Sequence, residues 1–362
     1  MPPVPQPPQE GTPLPAAAGG VLTPSAVGGR VVVRHRLHDG SATDVVGTLE
    51  RAGEVLAVRR AGGALVQVRA SDVVAARRVP PPVRRPRSGE PVVGVCDLEA
   101  VLARAWQPAD RARTGRWLLR SSGDRTRRAS SVLALGGPGP GADALWPAVE
   151  AAAGWLAARG STPRFQLPRS TGAPAGAAAR ADAAALAVVA EVDAELARRG
   201  WPLVSPTTVM VGALGGLRAG SSADGPPVAL AAAPDAAWTA LVRPGDADDP
   251  VLAALLLSAP EQAFAVVRGD GDGDGSSADG AVAAGRMALA DGWAVLTDLA
   301  VAPARRRRGL ARAVVAALAT WAGERGAERV ALQVADGNGA ARALYESLGL
   351  LEHHRYAYRE RA

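Results

Sequence analysis

A run of arginines that ends in a glycine, residues 306–309, stands between two segments of different pattern. The segment before it, residues 293–301, is typical of a buried strand, and the segment after it has helical spacing to about Arg325. A strand that leads into a helix N-terminus presents unpaired backbone N–H groups and the positive end of the helix dipole, which together bind anions. Gly309 allows close approach of a ligand, and the arginines attract phosphate. The stretch therefore predicts a phosphate-binding loop.

A second group of candidate residues lies on the helix predicted for residues 338–348. Asn338 and Tyr345 are seven residues apart, almost two helical turns, so their side chains share one face. Asn338 is the only asparagine of the chain and stands at the helix start, where it can cap the helix. Tyr345 is either a core aromatic with its hydroxyl at the rim or a catalytic group. The phosphate-binding loop upstream favours the catalytic interpretation.

The composition limits the class of protein. A chain of 362 residues is expected to form two or three domains. All 41 basic residues are arginines and the net charge is +6, which permits an anionic cofactor without favouring nucleic acid as a partner. The single cysteine, Cys96, excludes an internal disulfide, is expected to be a small buried residue, and suits a reducing cytoplasm. No segment approaches the roughly 20 apolar residues of a membrane span, so we expect no membrane contact.

Pattern changes along the chain divide it into five parts. Residues 1–26 are proline-rich and predicted to be disordered, and residues 27–80 show five short β patterns separated by turn dipeptides, which predict an SH3-like barrel. Residues 81–92 form a linker. Residues 93–225 alternate helix and strand, beginning with a helix capped by Asp97, and residues 171–181 look like a mobile insertion. Residues 226–362 read strand, helix, three strands, helix, strand, helix, strand.

One further segment imitates a known binding motif. Residues 270–275 carry acids at the first three ligand positions of a calcium loop, but Ala281 takes the place of the final glutamate. We therefore expect no metal site.

The C-terminal part resembles the GNAT N-acetyltransferases. The order of elements in residues 226–362, the R-x-x-G-x-A type of loop at residues 306–311 and the segment 338–349, similar to the family's N-x-x-A-x-x-L-Y-E-x-x-G helix, carry this resemblance. It implies an α+β acyl-CoA N-acyltransferase fold, acetyl-CoA as co-substrate and acetyl transfer to a primary amine. The whole layout resembles actinobacterial two-lobed GNATs with an N-terminal SH3-like domain, of a histone-acetyltransferase-like or N-acetylglutamate-synthase-like lineage. Residues 93–225 are then a degenerate, cofactor-free GNAT-like lobe that shapes the acceptor pocket.

The resemblance also implies roles for individual residues. The backbone of residues 299–301 pairs with the pantetheine arm, residues 307–312 surround the pyrophosphate, Asn338 contacts pantetheine, and Tyr345 donates a hydrogen bond to the leaving thiolate. The predicted cofactor-binding residues are Leu299, Ala300, Val301, Arg306, Arg307, Arg308, Gly309, Leu310, Ala311, Arg312 and Asn338.

The general base is the point where this chain departs from the family pattern. Several family members carry a glutamate five residues before the asparagine, and this chain has Gln333, which cannot accept a proton. Asp298 is the best remaining carboxylate, either as base or amine-binding group or as a bulge or cap residue. His353 and His354 could act through water, but a histidine pair at a strand start is expected on the surface.

The acceptor is left open by the sequence. A small amine such as an amino acid, including glutamate, is our first hypothesis, and protein lysine with the barrel as docking module is the second. A hypothesis of a different class is a binding protein that senses acetyl-CoA, with the barrel and the arginines of residues 84–87 in contact with nucleic acid.

Overall fold

The computed structural model describes residues 27, 29–60, 64–78, 93–139, 145–171, 177–218, 225–246, 248–269 and 280–361. Three segments treated in the sequence analysis lie outside these residues: the tail 1–26, the linker 81–92 with its arginines, and the calcium-loop-like residues 270–275. The chain forms two compact units, Met1–Val83 and Arg84–Ala362. No helix among the described residues is both long and apolar enough to cross a membrane.

The N-terminal unit is an antiparallel sheet of five strands in the order β4-β3-β2-β1-β5. Its strands are β1 (Arg30–Arg36), β2 (Ala42–Arg51), β3 (Val55–Arg59), β4 (Leu65–Arg69) and β5 (Val73–Arg78). Alternate residues of β1 and β2 point inward, as the period of two requires. Val31, Val33 and Val45 are fully buried in its core. The predicted all-β domain is confirmed.

Among the described residues, the first half of the second unit contains four helices and five strands. These are α1 (Val95–Arg104), β6 (Asp110–Thr114), β7 (Trp117–Ser121), β8 (Ser131–Ala134), α2 (Leu145–Ala157), β9 (Arg164–Ser170), α3 (Ala177–Arg198), β10 (Leu203–Ala213) and α4 (Leu214–Arg218).

The later part of the second half repeats the order of elements from β7 to β10, which is strand, strand, helix, strand, helix, strand. The elements of this half are β11 (Ala229–Ala231), α5 (Ala236–Val242), α6 (Pro250–Leu256), β12 (Glu261–Arg268), β13 (Ala281–Ala290), β14 (Trp293–Val301), α7 (Leu310–Glu324), β15 (Arg329–Ala335), α8 (Gly339–Ser347) and β16 (Leu351–Glu360).

A single sheet of eleven strands runs through both halves. Its order is β11-β12-β13-β14-β15-β10-β16-β9-β8-β7-β6, so the last strand of each half lies in the other half. β10 pairs with β15, and β16 pairs with β9. Only two neighbouring pairs are parallel among the described strands, β8 with β9 and β14 with β15, and each is connected by a helix as parallel strands require. The exchange joins the halves through backbone hydrogen bonds.

Helices cover both faces of this sheet. α7 and α8 pack on one face through Val314, Leu318 and Tyr345. On the opposite face α1 places Leu98 and Leu102 against Trp293. Burial of each such leucine contributes about 1.5–3 kcal/mol to stability. Helix α1 therefore lies over the strands that the two halves share.

The start of α1 differs from the sequence prediction. The helix begins at Val95, and Asp97 does not cap it. The cap comes from Asp182 of α3, which accepts hydrogen bonds from the backbone N–H groups of Val95 (2.5 Å) and Cys96 (3.0 Å). Cys96 is buried, as expected. The predicted insertion also ends earlier, because residues 177–181 already belong to α3.

We expect the Asp182 cap to stabilise the second unit measurably. Asp182→Ala should lower the free energy of unfolding by about 1–2 kcal/mol, because two N–H groups at the start of α1 lose their acceptor. The matched variant Asp97→Ala removes only an exposed first-turn charge and should cost about 0.3–0.5 kcal/mol. Urea unfolding followed by tryptophan fluorescence measures both. Equal losses for the two variants would contradict the assignment of the cap.

Candidate functional site

An extra residue in β14 turns this strand away from β15. Thr297 pairs with Arg286 of β13 and Ala300 pairs with Ala284. Between these two pairs β14 is one residue longer than β13. Asp298 occupies the bulge in left-handed conformation (φ 55°), which strains a residue other than glycine. β14 is paired with β15 only from Trp293 to Leu296. Beyond Leu296 the described strands diverge, and residues 299–301 form one edge of the resulting gap.

The gap leads directly into the arginine loop. A turn at Pro303–Arg305 is followed by Arg307 and Gly309, both with positive φ (64° and 79°), and α7 begins at Leu310 without a side-chain cap. Apart from Gly309 and its two chain neighbours, no atom of the described residues lies within 4 Å of the place where a Cβ on Gly309 would stand. The first-turn amides of α7 have no acceptor within the helix and no side-chain cap.

Positive charge is concentrated at this loop. Arg306, Arg307 and Arg308 are exposed, and none of them forms an ion pair with a carboxylate of the described residues. The Nε atom of Arg306 donates to the carbonyl of Val301 at 3.3 Å, which folds the loop back on the end of β14. Loop and helix N-terminus therefore form a cationic, donor-rich site.

The predicted helix-face residues stand where α8 meets this site. Asn338 caps α8, because its Oδ1 accepts from the N–H of Ala341 at 3.1 Å, and the cap does not use its amide nitrogen. Tyr345 is buried, and burial raises the pKa of its phenol to about 12. The guanidinium of Arg312 donates to Ser347 Oγ at 2.7 Å, which ties the start of α7 to the end of α8. The structure thus brings the loop and the helix of Tyr345 together.

Asp298 is held by a residue that the sequence did not indicate. Its Oδ1 accepts a hydrogen bond from Arg243, which follows α5, a helix absent from the sequence prediction. The carboxylate is only 6% exposed. Its Oδ2 is buried and has no hydrogen-bond partner among the described residues. One oxygen of Asp298 therefore keeps an unused capacity to accept a hydrogen bond.

A fully buried arginine supports the strands beneath the site. Arg286 donates to the carbonyls of Leu256 (2.8 Å) and Ala105 (3.2 Å) and to Thr297 Oγ1 (3.3 Å). Burial lowers the pKa of Arg286 to about 10, so it stays charged at neutral pH. It links β13 and β14 to both halves of the unit.

Gln333 is bound from the other half of the unit. It is the first residue of β15 beyond the part paired with β14, and its Oε1 accepts from Arg128 Nη1 at 2.8 Å. Arg128 belongs to the turn Arg127–Ala129 between β7 and β8. No spacing in the sequence could connect two residues so far apart in the chain.

The expected surface position of the histidine pair is wrong for His354. Its ring is fully buried, with Nε2 at 2.9 Å from Glu99 Oε1 of α1 and Nδ1 at 2.8 Å from Nδ1 of His353. The strand begins earlier than predicted, at Leu351, and lies in the middle of the sheet. A register irregularity beside His354 brings both rings together. The pair belongs to a buried polar network.

In the first half, the turn after β8 corresponds in position to the arginine loop. Arg116 fills it: its Nε donates to the carbonyl of Leu135 at 2.5 Å, and a Cβ on Gly136 would lie 2.6 Å from Arg116 Cδ. Trp117 Nε1 donates to the Gly136 carbonyl at 2.8 Å. The described part of this turn is therefore closed by its own side chains, unlike the turn after β14.

Comparison with known proteins decides the family. A family model described as "Probable histone acetyltransferase Rv0428c C-terminal" matches residues 94–359, which is most of the chain. The chain belongs to this family. The model of its "N-terminal Sm-like domain" matches residues 25–77. That description supports the all-β domain, while the SH3-like type stays a prediction.

Two individual proteins illustrate the relationship. "Uncharacterized N-acetyltransferase YobR" of Bacillus subtilis (strain 168) is 39% identical over 75 residues, which is 20% of this chain and 30% of that protein. This chain thus matches less than a third of the relative's length. The solved structure of a GCN5-related N-acetyltransferase from Kribbella flavida has a TM-score of 0.51 and 20% identity over 74% of this chain and 96% of that chain. The predicted GNAT fold is confirmed.

Gly309 provides a direct test of the loop geometry. Gly309→Ala places a side chain on a residue with φ 79°, which costs about 1–2 kcal/mol. We expect the affinity for coenzyme A, measured by calorimetry, to fall about 10-fold. Gly154→Ala is the matched control, because this exposed helical glycine also has open space around its Cβ position and favours substitution. Unchanged affinity in Gly309→Ala would show that the loop does not need this backbone conformation.

Proposed function

We propose that this protein is an acetyl-CoA-dependent N-acetyltransferase that transfers the acetyl group to a primary amine. The observation that carries the proposal is the divergence of β14 from β15 after Leu296, with the gap leading directly into the α7 N-terminus. A pantetheine arm has amides that can pair with an open strand edge, and a pyrophosphate is the anion that a helix N-terminus accommodates.

The cofactor-binding residues follow from this geometry. Backbone groups of Leu299, Ala300 and Val301 would pair with pantetheine, and the amides of residues 307–312 would donate to the pyrophosphate. Arg306, Arg307, Arg308 and Arg312 supply the neutralising charge. The free amide nitrogen of Asn338 would donate to a pantetheine carbonyl. In the first half the closed turn around Arg116 supports a lobe without a cofactor.

The chemistry requires a neutral amine and a stabilised thiolate. Bound acetyl-CoA supplies an activated thioester, whose carbonyl carbon the amine nitrogen attacks as the C–S bond breaks. Removing the proton from an alkyl amine with a pKa near 10.4 costs about 4–5 kcal/mol of free energy at pH 7. Asp298 Oδ2 is the carboxylate oxygen beside the gap that can orient the amine and receive its proton.

Tyr345 is suited to hold the leaving sulfur through a hydrogen bond. Because its pKa is raised to about 12, full proton transfer to a thiolate is uphill by several kcal/mol. Donation of a hydrogen bond, with the proton staying on the phenol, is therefore the role we propose.

The acceptor is a second part of the proposal. We favour a small amine such as an amino acid, including glutamate, and take protein lysine as the alternative, in line with the family description as a probable histone acetyltransferase. A protein that only senses acetyl-CoA and binds nucleic acid would bind the cofactor without turnover, and its nucleic-acid affinity would fall steeply with salt. Thiol release over a panel of amino acids, polyamines and lysine peptides separates these functions.

Tyr345→Phe tests the thiolate assignment. We expect kcat to fall about 10- to 100-fold, since a hydrogen bond to a charged group is worth about 1.5–3 kcal/mol. Release of free thiol measures the turnover. The affinity for coenzyme A and the unfolding midpoint serve as controls and should change little. Normal turnover with every acceptor of the panel would refute the role of Tyr345.

The pH profile is a further expected outcome. Activity should rise with pH as the acceptor amine deprotonates, and Tyr345, with its raised pKa of about 12, should keep its proton throughout. No decline due to this phenol should appear below about pH 10. Initial rates from pH 6 to 10, corrected for thioester hydrolysis, check this. A decline near pH 9 that disappears in Tyr345→Phe would contradict it.

A further inference from the structure

Arg128 reaches from the first half of the unit to the reaction gap. Its Nη1 donates to Gln333 Oε1 at 2.8 Å, and Gln333 stands where β15 separates from β14. Both side chains are half-buried. The guanidinium therefore lies at the rim of the gap where the acceptor must enter.

The position of Arg128 is fixed by its surroundings. Its Cζ lies 5.0 Å from the centre of the Trp106 ring. Trp106 Nε1 donates to Thr126 Oγ1 at 3.1 Å, and the same oxygen caps the turn that carries Arg128. A guanidinium held over an indole ring keeps its remaining N–H groups in one direction.

This cation lacks a carboxylate partner. Among the described residues, no Asp or Glu forms an ion pair with Arg128, and Gln333 engages only Nη1. The nearby Arg286 and Arg120 donate only to neutral oxygens. Burial lowers the pKa of Arg286 most, the nearby Asp298 carboxylate opposes this effect, and Arg128 adds a smaller lowering. Because Asp298 is already paired with Arg243, it does not neutralise the guanidinium of Arg128 at the rim of the gap.

A buried tyrosine lies in the field of Arg128. The Tyr358 side chain is 2% exposed, and its ring packs edge-on against that of Tyr356. Burial raises the pKa of Tyr358, while Arg120 and Arg128 act against this rise. The phenol therefore stays protonated at neutral pH.

We infer that Arg128 binds a carboxylate of the acceptor, which makes the acceptor an amine that carries its own carboxylate. This inference rests on the proposed acetyltransferase function. A guanidinium fork matches a planar carboxylate, and Gln333 engages only Nη1 of Arg128. The acceptor's amine is then directed towards Asp298 and the thioester. A protein lysine brings no carboxylate into the gap, so Arg128 selects small amino acids over peptides.

The test compares amino acids with their carboxamides at saturating acetyl-CoA, by thiol release. We expect the wild-type protein to favour the carboxylate form by about 10- to 100-fold in kcat/KM. Arg128→Gln should remove this preference mainly through KM and leave the carboxamides within about 3-fold. Arg127→Gln is the matched control, because Arg127 is exposed and pairs with Glu360, and it should keep the preference.

Gln333→Glu distinguishes two interpretations, because they predict opposite changes in the activity with amino acids. If Arg128 binds the acceptor, a carboxylate at position 333 pairs with Arg128 and lowers kcat/KM for amino acids about 10-fold or more. If the chain only lacks a general base, the same substitution raises activity. Increased activity with amino acids would overturn the inference.

The remaining outcomes also decide. If Arg128→Gln fails to fold, Arg128→Lys replaces it, because lysine keeps the charge and loses the guanidinium fork. The preference of the wild-type protein for the carboxylate form is then compared with that of Arg128→Lys. Turnover without preference for carboxylates, or acetyl-CoA binding with no carboxylate-bearing amine acetylated, overturns the inference and leaves the proposed function standing. Failure to bind acetyl-CoA or coenzyme A by calorimetry refutes the proposed function instead.

Discussion

The bulge at Asp298 is the local constraint on which the site depends. One extra residue, accommodated at φ 55°, rotates the end of β14 away from β15 and leaves backbone groups without a strand partner. Such a conformation costs about 1–3 kcal/mol and persists because Arg243 binds the carboxylate and Arg286 braces the neighbouring strands. The same residue that opens the gap therefore also places a buried carboxylate oxygen beside it.

The two halves contribute differently to this gap. The second half supplies the open edge, the helix N-terminus and Tyr345, while the first half supplies Arg128 and the support of α1. In the first half the described part of the corresponding turn is closed by Arg116. Two halves with the same order of strands and helices thus differ at this turn, and only the second half presents a donor-rich loop there.

Local sequence patterns predicted most elements of the second half, but they did not predict the contacts between residues far apart in the chain. The strands β13, β14 and β15 and the glycine before α7 are visible in sequence because strand periodicity and a helix start depend on adjacent residues. The cap of α1 by Asp182, the burial of His354 against Glu99 and the bond between Arg128 and Gln333 join residues far apart in the chain. The polar β6 carries too few apolar residues for a strand pattern to be seen, and α5, with seven residues, is too short to show a helical period.

The exchanged strands have a consequence for the order of events during synthesis. β16 is translated after every other strand of the sheet, yet it lies between β10 and β9 near the centre. Until it leaves the ribosome, β9 and β10 each expose an edge that could pair with another nascent chain. The first half therefore cannot complete its own sheet cotranslationally, and shortening the chain before β16 would split the sheet between β10 and β9, while β10 keeps its pairing with β15.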